Sequence, residues 1–180
     1  MKRVKDLSNL MEAGLKILIF NTIGENDMDF NVLEKDIPTQ RIISITRYPT
    51  AADLSETIQE AGTALLDYVK EHNLTMTASA FGIYHTPITE HEHGMIEICI
   101  PVSDATKGTG EIVFRELEGG KAVCVPITGA QCAFPAILGA YEAATNWMQY
   151  NKYNAAQPPR EIWHTGPVAD PRWEIVWLFN

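Results

Sequence analysis

Two short stretches place chemistry-bearing side chains at matching spacing. Arg160-Glu161-Ile162-Trp163-His164-Thr165 repeats the pattern of Phe81-Gly82-Ile83-Tyr84-His85-Thr86, with a carboxylate where the earlier stretch has a glycine. Side chains alternate across a strand, so Glu161 shares a face with Trp163, and Gly82 shares one with Tyr84. A carboxylate set among rings can serve in two ways. Burial raises its pKa, and it then recognises a cation by charge pairing, each ring adding roughly 0.5–2 kcal/mol of cation–π attraction. The same raised pKa suits it to activate water or protonate a leaving group while the rings hold a flat electrophile. A strand glutamate is ordinarily solvent-exposed. Parity with Trp163, and substitution for the glycine of the repeat, set Glu161 apart from that ordinary case.

The other titratable groups point less sharply. Glu97 and Glu174 fall at matching places and would suit an acid/base couple, although solvated strand positions are the plainer reading; Glu97 stays among the groove candidates. His91 and His93 form an H-x-H pair beside Glu90 and Glu92, but a closed metal site needs about four ligands, so this reads as a polar loop and no metal is expected. His85 and His164 fit strand ends. Trp147 and Tyr141 fit a helix core, with Tyr141 also able to reach the groove, and Trp173 and Trp177 flank Ile175 at period two, as residues packed under helices do. No Ser-His-Asp, Cys-His or phosphate-loop motif competes with Glu161, and no cofactor is implied.

The elements that must position these residues come in two copies. An offset of 79 maps Ile43–Thr46 onto Ala122–Val125, Ile58 onto Ile137, Tyr68 onto Trp147, and Ile83, His85 and Thr86 onto Ile162, His164 and Thr165. Each copy reads strand, helix, strand, strand. The first has a strand over Arg41–Arg47, a helix over Ala51–His72 and strands over Ala78–Thr86 and Met95–Val102. The second has a strand over Lys121–Ile127, a helix over Phe134–Lys152 and strands over Arg160–Thr165 and Arg172–Phe179. A further strand, Glu111–Leu117, is expected to turn through Gly119-Gly120 as a hairpin into the second copy. Two βαββ units predict an α+β fold: an antiparallel sheet with both helices on one face and a central groove on the other. Ile83 and Ile162 are then expected to face the helices, leaving Gly82, Tyr84, Glu161 and Trp163 in the groove.

The stretches "FGIYHTP", "GAYEAATNWMQYNKY" and "PPREIWHTGPVADPRWEIVWLF", preceded by "NVLEKDIPTQRIISITRYP", resemble the GyrI-like, or AraC/BmrR-type effector-binding, domain over residues 30–180. The resemblance implies a duplicated βαββ fold whose groove binds small, aromatic or cationic molecules. It also implies that Glu161 meets the ligand's positive charge, flanked by Trp163 and by Tyr84 from the first copy. The turn Gly129-Ala130-Gln131 departs from the Gly-Pro-Tyr-like turn usual in the family, so the ligand type does not transfer. Three roles follow from the resemblance: a stand-alone effector-binding protein related to transcription regulation or multidrug recognition; a hydrolase of cyclopropane-bearing compounds using Glu161, Tyr84 and Trp163; and a gyrase-inhibitor-like protein-interaction module.

Composition bounds these readings. Apolar residues are 46% and charged residues 21% of the 180, the profile of a globular chain with a full core. The net charge of −9 would repel duplex nucleic acid, so direct nucleic-acid binding is not expected. Cys99, Cys124 and Cys132 have no CxxC spacing and read as reduced core thiols. With no signal sequence and no membrane-length apolar run, a cytoplasmic location is expected. Residues 1–29 form an extension, with a helix expected over Val4–Ala13 as a linker, dimerisation helix or surface cap. A small-molecule ligand is expected, with a homodimer or protein partner as a further option.

Overall fold

The computed structural model describes residues 30–104, 106–166 and 170–180; the extension and its expected helix lie outside them. Eight strands and two helices follow one another: β1 Leu33–Ile37, β2 Gln40–Arg47, α1 Leu54–Glu71, β3 Phe81–Tyr84, β4 Ile96–Pro101, β5 Val113–Leu117, β6 Gly120–Thr128, α2 Ile137–Asn151, β7 Arg160–Trp163 and β8 Arg172–Leu178. The α+β expectation holds, and the expected strands and helices form within a few residues of the stated bounds.

All strand pairings are antiparallel, in the order β1-β6-β8-β7-β3-β4-β2-β5. The two quoted stretches meet at the centre, where Gly82 is the cross-strand partner of Glu161. Both helices lie on one face. The helix α1 lays Ala61, Leu65, Tyr68 and Val69 onto Ile43, Ile45, Ile96, Ile98 and Ile100. The helix α2 lays Ala140, Ala144 and Met148 onto Val123, Val125, Ile175 and Trp177.

The order corrects the expected hairpin. β5 pairs with β2 and β6 pairs with β1, so the links Ile37–Gln40 and Leu117–Gly120 each join strands from opposite halves of the sheet. A link of three residue steps spans at most about 11 Å, so the two ends of the sheet must approach each other. The links also touch. The Gly119 amide donates to Thr39 Oγ1 at 3.2 Å, and a Cβ on Gly119 would stand 2.0 Å from the Ile37 carbonyl. Gly119 is therefore where two links of the chain cross rather than part of a tight turn.

This curl buries the second face of the sheet against itself. Ile42, Phe81, Ile83, Cys99 and Leu117 form one cluster there, and Ala122, Cys124, Val176 and Leu178 form another, with Ile162 touching both. Strands such as Ile96–Pro101 are consequently buried along their whole length, as expected of strands covered on two sides.

Candidate functional site

The curl overturns the expected placement of the site. Ile83 and Ile162 face the interior of the curled sheet, and Gly82, Tyr84, Glu161 and Trp163 face the helices. The shared parity within each stretch holds; the choice of face was inverted. The helices α1 and α2 contact β2 and β4, and β6 and β8, respectively, and neither crosses the central β3–β7 pair. That pair is the floor of a cleft between the helices.

Glu161 sits on this floor at 7% exposure. Tyr84 donates its hydroxyl to Oε2 at 2.8 Å, and Tyr141, reaching down from α2, donates to Oε1 at 2.7 Å. Tyr141 is steadied by an edge-to-face pairing with the Trp177 ring, 6.4 Å between centroids at 81°. Burial pushes the Glu161 carboxyl above its ordinary value, only partly offset by Tyr141, Tyr84 and the Trp163 indole. Burial, followed by the charge of Glu161, drives both phenols well above theirs, so they stay protonated as donors. Among the described residues no Lys, Arg or His forms an ion pair with Glu161.

The other two buried glutamates are neutralised. Glu97 lies inside the curl, bound by Arg115 Nε at 3.1 Å and Nη2 at 2.7 Å, with His85 Nε2 at 3.1 Å. Burial pushes its pKa up, but hydrogen bonds from His85, Arg115 and Ser44 outweigh this and bring it to about 2. Glu174 pairs with Lys35 and lies 3.9 Å from His164 Nε2. Arg115 on β5 and Lys35 on β1 each reach across one strand to their glutamate, pinning the two edge strands. Glu97 therefore stands apart from the cleft, which departs from its expected place in the groove, and His85 and His164 serve these two pairs.

Sequence reasoning missed the partners of these glutamates. It also missed Arg160, a residue 2% exposed inside the curl whose guanidinium donates to Gln157 and the Glu118 carbonyl. Arg160 is the inward neighbour of Glu161, so strand parity could have flagged it once the inner face was known. A shallow hollow lined by Glu56, Gln59, Glu60, Thr63, Ala64 and Asp67 runs along the solvent side of α1. It has neither a ring nor a buried charge.

The sequence profile of the GyrI-like small molecule binding domain matches residues 30–176. The chain belongs to this family. Among solved structures, the GyrI-like fold is shared with the EcmrR C-terminal domain at a TM-score of 0.71 and 24% identity, covering 85% of this chain and 99% of that domain. In a complex with DNA, EcmrR matches at 0.73 and 24% identity, covering 84% of this chain, which spans 57% of the length of that protein. A hydrolase from Listeria innocua matches at 0.63 and 11% identity, covering 83% of this chain and 91% of its own. SAV2435 bound to tetraphenylphosphonium matches at 0.53 and 14% identity, covering 85% and 94%. Likeness at these identities is likeness of fold. No curated protein sequence matches the chain. As a GyrI-like domain the chain is a small-molecule binder, and no described helix is long and apolar enough to cross a membrane.

Proposed function

We propose that the cleft binds a small lipophilic cation, with Glu161 as its charge partner, Tyr84, Tyr141 and Trp163 as its aromatic walls, and Gly82 as the floor beneath the Trp163 indole. One observation carries the reading: of the three buried glutamates among the described residues, two have cationic partners and the one in the cleft has only neutral donors, two phenols and an indole. A buried carboxylate without a cation costs stability, and a ligand's positive charge supplies the missing partner. The rings then act by cation–π contact. The chemistry of tetraphenylphosphonium, the molecule bound to SAV2435, fits the same description. In EcmrR a domain of this fold belongs to a DNA-bound protein, which supports an effector-binding role for this chain.

Titration with tetraphenylphosphonium by calorimetry tests the reading. Glu161→Gln keeps the shape and removes the charge. Losing the charged partner of a buried pair costs about 3 kcal/mol, so affinity should fall about a hundredfold. Equal affinity in the variant would remove the charge-pairing role.

A further inference from the structure

Gly82 is a glycine in the middle of a buried strand, a place where glycine weakens a sheet unless something needs the room. Its backbone supplies no reason, because Gly82 is not among the positive-φ glycines Gly108, Gly110, Gly120 and Gly129. Its surroundings do. A Cβ at position 82 would stand 3.0 Å from both Cη2 and Cζ2 of Trp163 and 3.3 Å from Cδ1 of Ile96. The six-membered ring of the Trp163 indole therefore rests on bare backbone, beside the Glu161 carboxylate that is the cross-strand partner of Gly82.

The indole is tethered differently from its neighbours: its N–H helps to hold down the Glu161 pKa, a bond to the site rather than to the backbone. Trp173 and Trp177 donate their indole N–H groups to the Thr165 and Gln157 carbonyls, at 3.1 and 2.9 Å. Among the described residues Trp163 has no such backbone tether, and it is only partly buried at the end of β7. Turning the indole about its χ1 and χ2 would uncover a ring-sized area of floor next to an unpaired buried carboxylate.

We propose that Gly82 sets the shape selectivity of the cleft: the bare strand is a seat for one flat ring, held by the Trp163 indole and yielded to a flat aromatic group of the ligand when the indole turns out. This rests on the cation reading and adds to it a class, planar aromatic cations favoured over compact ones. A methyl group at position 82 would spoil the seat for any ring, its own or the ligand's, while leaving Glu161 untouched.

The test compares ethidium, a flat aromatic cation, with tetraethylammonium, a compact one, on wild type, Gly82→Ala, Trp163→Ala and the double variant. In Gly82→Ala, ethidium should bind about tenfold more weakly, the scale of overpacking a tight contact, and tetraethylammonium should bind no worse than to wild type. The double variant, which removes the clash and so secures folding, should show the same ethidium loss relative to Trp163→Ala. In 5-fluorotryptophan-labelled protein, one of four resonances, assigned with Trp163→Phe, should move on ethidium binding and in unliganded Gly82→Ala. A Gly82→Ala change that is silent once Trp163 is gone, or that weakens both cations alike, overturns the seat while leaving the cation reading intact. Wild-type protein that binds neither cation overturns both.

Discussion

The glutamates on the two faces of the sheet should answer the same substitution with opposite signs. Glu161→Gln is nearly isosteric, and the two tyrosine hydroxyls can rotate so that one donates to the amide oxygen and the other accepts from its N–H. The variant keeps two hydrogen bonds and loses a buried, unpaired charge. Relief of that charge should stabilise the fold by about 1 kcal/mol, or roughly 2–4 °C in Tm for a chain of this size. Glu97→Gln removes the partner of Arg115 and His85, and should cost about 1–3 kcal/mol, below the figure for a fully buried pair because the Arg115 side chain is 35% exposed. The pH dependence separates the two further. The folded pKa of Glu161 lies above the ordinary 4.5, so the native state holds the extra proton and the carboxylate destabilises increasingly as pH rises through that range. The advantage of Glu161→Gln is therefore present well above 4.5 and vanishes below it. The folded pKa of Glu97 lies near 2, so its stabilisation is complete above 4.5 and is lost as pH falls from 4.5 toward 2. Urea denaturation of the three proteins at pH 7, and thermal melts from pH 7 down to pH 3, read both effects. A Glu161→Gln variant that loses as much stability at pH 7 as Glu97→Gln would refute the claim that Glu161 lacks a compensating partner.

Two further outcomes follow from the same geometry. A cation needs the ionised form of Glu161, so affinity for tetraphenylphosphonium should rise with pH through the folded pKa; Tyr141→Phe removes one donor to the carboxylate and should move that midpoint to higher pH in calorimetric titrations. The thiols should be inert in the folded protein: burial, then the charge of Glu174, pushes Cys124 to about 12, and burial raises Cys99 and Cys132, so Ellman's reagent at pH 8 should label none of the three until denaturant is added.

Much of the cleft was legible because strand alternation is a local rule. Glu161 with Trp163, and Gly82 with Tyr84, had to share faces whatever the fold, whereas Tyr141 read as helix core with the groove as an option. Which face they shared was not legible. A sheet covered by helices on one side ordinarily leaves the other side to solvent, and this one curls so that Ile42, Cys99, Cys124 and Val176 are 0% exposed on the face without helices. With both faces apolar, composition could not say which one the helices cover. The Gly119-Gly120 pair misled for a related reason. Glycine marks either a tight turn or a close approach of chains, and only the crossing of the two links shows that it is the second.

Local periodicity fixed the elements, their order and the parity that puts Glu161 with Trp163 and Gly82 with Tyr84, because these depend on periods of two and 3.6 residues along one chain. The tertiary structure decided that Glu97 and Glu174 acquire cations from the far edge strands while Glu161 does not. Lys35 and Glu174 are 139 residues apart, and pairing over such a separation is fixed by how the sheet closes rather than by local pattern. The functional contrast among the glutamates rests on that closure, since the cost of a buried charge is set by its partners in space.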